Sequence, residues 1–510
     1  MDKRIRMLGL IFMGLFGLLF VQLNNWQIHR QTSYQAPVIS QNQIQPNQFV
    51  QARGMILTSD FNVIARSVRH GSEWIRTYPQ GKLFADITGY FDVTAHAAHG
   101  LEYEYNSYLA AHQSPVHTFT NLFTTHYETN DLVLTISAKL QAAAEAALNG
   151  QTGAVVAIDP RTGAVLAMYG NPTYDPNPFS TFNATAANSY YQSLNPSSGS
   201  SPLVNAATDD LHPPGSTFKV IDSAAVFDHQ PSLATKLWKP ESKIIIPGTS
   251  SPGHPGQPLQ NFGQSSCPPG GPADLAELLT ASCDITYARI GLALGASNVV
   301  SEAEAFGYNS VPPLDLPSNV AAARIPAPLQ ISYPGALAIS AIGQYQDAAT
   351  ALEGALMSAG IANGGVIMAP HLLDHVLNQQ GQVVDTYKPH PWRTATSAET
   401  AAQVAQLMLG PTNDYIPGTM GGTLSGVLNK DNLGGIYVGG KTGTAENQLN
   451  PNGCGTIDWV TAWGPALTAV SPSIAVAAWV TSPPGSCDAT GAQVAGPVVQ
   501  AVLKSYFNVA

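Results

Sequence analysis

The sequence predicts an α/β chain of the α+β sandwich kind: an antiparallel sheet flanked by helices, with an all-helical subdomain inserted. Three observations carry this. Ala154-Val155-Val156-Ala157-Ile158 and Ala164-Val165-Leu166-Ala167-Met168 are apolar runs on either side of Asp159-Pro160-Arg161-Thr162-Gly163, the pattern of a β-hairpin. Strand-like runs return near the other end, Ile436 to Gly439, Val460 to Trp463 and Ile474 to Val480, ahead of a helix near Val494 to Tyr506. Between them lie helical stretches at Ala273 to Ala281, Ile285 to Leu294, Ala336 to Ile342, Ala349 to Ala362 and Ala398 to Leu409. Strands first and last with helices between make one sheet from both ends of a domain. The boundary is expected just before the hairpin, which assigns residues 149–510 to this domain.

A chain of 510 residues has room for two or three domains. Charged residues are only 11% and the net charge is −11 without a basic tract, which argues against a nucleic-acid partner. At the amino terminus Lys3, Arg4 and Arg6 precede an unbroken apolar run from Met7 to Val21, and Leu23 extends it towards the ~20 residues a bilayer needs. Leu23-Asn24-Asn25-Trp26 offers no small-x-small cleavage site, and Trp26 suits a membrane interface. The expectation is an uncleaved transmembrane signal anchor over 7–23, with a cytoplasmic tail at 1–6 and the bulk of the chain outside, a single pass through the cell membrane. A stalk rich in Gln, Asn and Pro follows over 24–51, then a mainly β and extended pedestal over 52–148. Its pieces are short strands at Met55 to Leu57, Val63 to Ala65 and Asp131 to Ile136, closed by an Ala-rich helix over Ala138 to Leu148.

Chemistry concentrates in Pro213-Pro214-Gly215-Ser216-Thr217-Phe218-Lys219. The prolines and glycine stop what precedes, and good helix residues follow from Lys219, so Ser216 sits near a helix N-terminus. Three residues share a helix face, so Lys219 can reach back to the Ser216 hydroxyl. An amine takes a serine proton only if its surroundings lower its pKa. Exposed N–H groups at the helix start suit a developing oxyanion. S-x-x-K alone arises by chance about once in a chain this long. Two further motifs raise the specificity: Ser282-Cys283-Asp284 between two predicted helices, and Lys441-Thr442-Gly443-Thr444 after a strand-like run. Gly443 lacks a side chain, so a substrate backbone could lie against that strand. His212 reads as a packing histidine.

The ordered set S-x-x-K, S-x-D, K-T-G-T resembles the penicillin-recognising serine acyltransferases, the penicillin-binding and serine β-lactamase-like fold. Over nearly the whole chain it is most similar to the membrane-anchored class B penicillin-binding proteins. Arg53-Gly54-x-Ile56 and Gly100-Leu101-Glu102-x-Glu104 resemble the family's pedestal motifs, and Ile361-Ala362-Asn363-Gly364-Gly365 also looks like the family. The resemblance implies a peptidoglycan D,D-transpeptidase. Ser216 would attack the penultimate D-alanyl carbonyl of a stem peptide and Lys219 would be the general base, held deprotonated in part by Lys441. Ser282 would relay the proton. The backbone N–H groups of Ser216 and Thr444 would form the oxyanion hole, while Lys441, Thr442 and Thr444 would hold the substrate carboxylate. β-Lactams would leave a slow-hydrolysing ester on Ser216. No cofactor is implied, and a polytopic membrane glycosyltransferase would make the glycan. The departure is Asp284, where Asn is commoner and Asp is notable in elongation-type members; an ionised Asp cannot donate to a substrate carbonyl.

A β-lactamase of the same fold would need a group to activate water, and no E-x-x-x-N pattern lies between Asp284 and Lys441. A D,D-carboxypeptidase differs only in whether water or an amine accepts the acyl group, and a non-catalytic scaffold would not need the intact motifs. No C-x-x-C or H-E-x-x-H spacing supports a metal site. Outside the cytoplasm Cys267, Cys283, Cys454 and Cys487 are expected in disulfides. Cys267 lies across a Pro/Gly turn from Cys283, and Cys454 and Cys487 flank the last two strands, so the expected pairs are Cys267–Cys283 and Cys454–Cys487. Non-reduced peptide mapping should recover these two cross-links; a Cys283–Cys454 peptide would reject them.

Overall fold

In the computed structural model the described residues are 7, 12–18, 51–92, 97–113, 127–246, 258–316, 320–413, 421–446, 455–483, 485–486 and 488–509. Residues 1–45 and 46–510 form separate units, and 12–18 of the first are helical. The expected anchor and stalk lie largely outside the described residues, among which no helix is long and apolar enough to cross a membrane. Cys454 and Cys487 also lie outside them.

The larger unit begins with strands β1 (Ile56–Leu57), β2 (Val63–His70) and β3 (Glu73–Thr77), followed by β4 (Asp131–Leu134) and helix α1 (Ala138–Leu148). The hairpin is β5 (Gly153–Ile158) with β6 (Val165–Asn171). Helices follow at α2 (Ala184–Ser193), α3 (Lys219–His229), α4 (Leu275–Ala281), α5 (Asp284–Leu294), α6 (Ala296–Ala305), α7 (Pro334–Ser340) and α8 (Ala351–Ala362). Then come β7 (Leu373–Leu377), β8 (Val383–Thr386), α9 (Ala398–Asn413), β9 (Tyr437–Glu446), β10 (Thr456–Ala466), β11 (Ile474–Thr481) and α10 (Gly491–Phe507). Helices α2 and α6 and strands β3, β7 and β8 are additions to the expected elements.

The sheet made from both ends is present: five antiparallel strands in the order β6-β5-β11-β10-β9. Its strands are buried on both faces, which is why they read as apolar runs rather than alternating ones. Alternation still sorts the faces. Val155, Ala157, Val476 and Ala478 pack with Leu140, Ala144 and Leu148 of α1 and Val498, Val499 and Val502 of α10. Val156, Ile158, Ala475 and Ala477 face the opposite way, in the cluster that holds Val220, Leu352 and Leu356. Each large aliphatic side chain buried this way contributes about 1.5–3 kcal/mol. Helix α8 starts on a capping box, in which Thr350 and Glu353 satisfy each other's backbone N–H groups.

Two features differ from the expected division at 148/149. Helix α1 stands before that line, yet it packs on β6 and α10, and Gln141 binds the Met168 backbone through both ends of its amide. Strands β7 and β8 stand after it, yet they complete a six-stranded sheet with the pedestal, ordered β8-β7-β4-β1-β2-β3. Both contacts are long-range, and nothing local to 138–148 or 373–386 announces them.

The pedestal is organised round Glu102, which is fully buried. Its Oε2 accepts from Arg53 Nε at 3.1 Å and Nη2 at 3.0 Å, its Oε1 accepts from Arg76 Nε, and Arg76 Nη1 reaches the Gly54 carbonyl at 2.6 Å. One carboxylate thus pairs with two buried guanidiniums. Glu102→Gln should cost about 3–5 kcal/mol, because removing one partner leaves buried charge uncompensated; an unmoved urea midpoint would count against this reading.

Candidate active site

Ser216 lies in a 3₁₀ turn, Gly215–Phe218, that runs directly into α3. The expected helix start is therefore present, one turn tighter. Gly215 takes φ +54° there, and an added Cβ would meet the Thr444 backbone at 2.8–3.0 Å. Its N–H donates to the Gly343 carbonyl at 2.9 Å. The nucleophile turn is thus held between edge strand β9 and the loop after α7.

Ser282 closes α4 with φ +60°, a left-handed conformation that costs a non-glycine residue about 1 kcal/mol or more. The N-cap of α5 is Cys283, whose own side chain makes no capping hydrogen bond. Cys283 is bonded to Cys267, so the expected first disulfide braces this loop. Closing a loop of this length is worth about 3 kcal/mol in the chain-entropy account.

The three motifs meet. Lys219 Nζ donates to the Ser282 carbonyl at 2.9 Å, to Ser282 Oγ at 3.4 Å and to Asp284 Oδ1 at 2.6 Å. Lys441 Nζ donates to the same Ser282 Oγ at 2.8 Å and to the Thr442 carbonyl at 2.9 Å. Both lysines are fully buried. Burial pushes the Lys219 amine below its ordinary value, while neighbouring Asp284 pulls it up. Lys441 is pushed well below its ordinary value, by burial first and by Lys219 second. Of the two amines, Lys219 has the carboxylate at its side and holds a proton more tightly.

The geometry differs from expectation at Asp284 and Gly443. Lys219 reaches Ser282 and Asp284, and it is Asp284 Oδ1 that receives the Ser216 hydroxyl, at 3.3 Å. The carboxylate stands between nucleophile and base, and its other oxygen accepts from the Phe262 N–H at 3.0 Å. At Gly443 a Cβ would lie 2.5 Å from the Pro214 carbonyl oxygen, 2.9 Å from Trp459 Cβ and 3.1 Å from Thr217 Cγ2. The missing side chain admits the nucleophile turn. Thr442 Oγ1 donates to Thr423 Oγ1 at 3.1 Å, and Thr444 Oγ1 accepts from the Gly491 N–H at 3.2 Å while its hydroxyl bonds to the Asp458 carboxyl. Thr423, Gly343 and the Phe262 N–H went unread because no motif carries them. His212 packs against the Trp479 ring, as expected of a packing histidine.

Residues 153–504 match the family model of the penicillin binding protein transpeptidase domain, and 53–130 match that of the penicillin binding protein A dimerisation domain. The chain belongs to the class B penicillin-binding proteins. One relative, the peptidoglycan D,D-transpeptidase PbpA of Mycolicibacterium smegmatis, is 29% identical over 513 residues, 99% of this chain and 98% of its own. Penicillin-binding protein A from M. tuberculosis, solved as a penicillin G acyl-enzyme complex, superposes with a TM-score of 0.74 at 29% identity, covering 89% of this chain and 99% of its own. The D,D-transpeptidase domain of a peptidoglycan glycosyltransferase from Eggerthella lenta superposes at 0.72 with 29% identity, over 90% and 99%. In this penicillin-binding protein the second motif ends in Asp284, and that carboxylate is engaged by the protein itself.

Gly443→Ala should push the nucleophile turn off β9. Acylation by a labelled penicillin is expected to fall at least about tenfold, roughly 1.4 kcal/mol of barrier; an unchanged rate would show that the turn adjusts without loss.

Proposed function

We propose that this chain is a peptidoglycan D,D-transpeptidase that cross-links stem peptides through an acyl-enzyme on Ser216. The observation that carries this is the continuous line of contacts from Ser216 through Asp284 and Lys219 to Ser282 and Lys441. Ser216 attacks the penultimate D-alanyl carbonyl as Lys219 takes its proton. Ser282, which touches both amines, passes that proton towards the leaving D-Ala nitrogen. Thr444 lies against Gly215, so its N–H and that of Ser216 are the pair assigned to the oxyanion. Lys441, Thr442 and Thr444 hold the substrate's carboxylate. A second stem peptide's amine then attacks the ester.

The relatives support the same chemistry: one carries the D,D-transpeptidase name and another was solved acylated by penicillin G. β-Lactams mimic the D-Ala-D-Ala end and acylate the same hydroxyl. The setting we assign is a single-pass anchor over Met7–Leu23, supported by Lys3, Arg4 and Arg6 ahead of an apolar run, with the remainder outside the cytoplasm. The domains we assign are the pedestal over 52–148, except that α1 packs with the catalytic sheet, and the transpeptidase domain over 149–510, except that β7 and β8 extend the pedestal sheet. A polytopic membrane glycosyltransferase is the partner this arrangement needs for glycan synthesis.

Ser216→Ala should abolish covalent labelling by a fluorescent penicillin while the protein stays folded, since one lost hydroxyl hydrogen bond costs about 1 kcal/mol. Labelling that persists on another serine would sink the assignment.

A further inference from the structure

Three donors converge on the two oxygens of Asp284. Oδ1 takes Lys219 Nζ at 2.6 Å and the Ser216 hydroxyl at 3.3 Å, and Oδ2 takes the Phe262 N–H at 3.0 Å. The third donor is fixed. Asn261 Nδ2 ties its loop to the Glu241 and Ser265 carbonyls, and Asn261 Oδ1 accepts the Ile285 N–H at 3.1 Å, at the start of α5. A carboxylate accepts on both oxygens; an amide would turn an NH₂ towards one of these donors. With its oxygen on Phe262, an amide at 284 would present N–H groups to Lys219, and only an unprotonated lysine could accept them. The residue at 284 therefore selects the charge on Lys219.

Other charged groups do not take over this task. Lys441, from β9, is itself pushed well below its ordinary value by burial and then by Lys219, and Tyr287 of α5 presents its ring centre 5.4 Å from Nζ. Asp222, one turn along α3, is fully buried with neither oxygen hydrogen-bonded; burial pushes its carboxyl well above the usual range, and its pull on Lys219 ranks after that of Asp284. Near it, Glu302 of α6 is pushed up to about 8 by burial and by Asp228, and buried Asp347 is likewise pushed up. Among the described residues, Asp284 is the carboxylate in hydrogen-bonding contact with Lys219.

We propose that Asp284 is a positioning residue that gates acylation: its carboxylate keeps Lys219 protonated in the free enzyme, so the lysine must shed that proton before it can serve as base. The proposal rests on the transpeptidase reading of Ser216 and Lys219. In the gated step Lys219 first passes a proton to Asp284 Oδ1, and that partly exposed carboxyl releases it to solvent. Ser216 Oγ then bonds to the carbonyl carbon, its proton passes to the neutral amine, the C–N bond opens, and the proton continues through Ser282 to the departing nitrogen. The sign follows. An adjacent negative charge raises the lysine's pKa, so acylation carries an acid limb that moves to lower pH when the charge is removed.

The test is the rate of acylation by a fluorescent penicillin on the full-length protein in detergent, from roughly pH 5 to 10, with thermal melting as a check on folding. For Asp284→Asn the acid limb should move down by at least about one unit, so that near pH 6 the variant runs roughly tenfold faster relative to its own alkaline plateau. Asp284→Ala, which makes no demand on the Phe262 N–H, should move the limb the same way. A limb that stays put or moves up in both folded variants overturns the gate, as does loss of labelling at every pH. A parent protein that takes no label on Ser216 overturns the transpeptidase reading, and the gate with it.

Discussion

Two lysine amines buried without access to solvent face one hydroxyl, that of Ser282, and the rest of the structure is arranged to make this tolerable. Burying an ammonium costs several kcal/mol unless it is paired or gives up its proton. Here the two amines divide these solutions. Lys219 has a carboxylate and a carbonyl; Lys441 has a carbonyl, two hydroxyls and the repulsion of Lys219. The carboxylate in contact with Lys219 is Asp284. The pairing comes from parts far apart in the chain. Lys219 is on the helix after the Ser216 turn, the Ser282 hydroxyl on the helical insertion, and Lys441 on the sheet edge.

Holding these parts in register falls to close backbone contact rather than to side chains. Gly215, Gly343 and Gly443 each stand where a Cβ would strike backbone: the Thr444 peptide, the Gly215 carbonyl and the Pro214 carbonyl in turn. The nucleophile turn is therefore wedged between strand and loop with little room to shift. Ser282 is held otherwise, by a left-handed backbone and by a disulfide at the next residue. A strained conformation persists only where the surroundings over-determine it, and the disulfide, the α4 end and the two lysines do so here.

The pedestal uses the same physics with the opposite outcome. Around Glu102 two permanent cations are paired with one carboxylate, and no proton transfer is open to arginine, so the cluster is a structural fastening. It is joined to the catalytic part by β7 and β8, which extend its sheet, and by Tyr105, whose hydroxyl donates at 2.8 Å to Asp315; the Asp315 carboxylate also accepts the Leu372 and Leu373 N–H groups.

Local sequence determined the nucleophile turn, the three motifs, the two-ended sheet and the Cys267–Cys283 bond. Each is signalled by neighbours in the chain: Pro and Gly ahead of a helix, apolar runs about a turn, cysteines across a short loop. The second expected bond falls on residues outside the described part. Tertiary structure alone decided where those signals point. It turned Asp284 to Lys219, Ser216 and the Phe262 N–H, and it gave the Gly443 face to the nucleophile turn. It also moved α1 to the catalytic side of the expected boundary and carried β7 and β8 into the pedestal sheet. The reason is physical: what a side chain does depends on which donors, charges and backbone meet it, and here those partners come from Phe262, Pro214, Met168 and Leu134, distant in sequence and brought near only by packing.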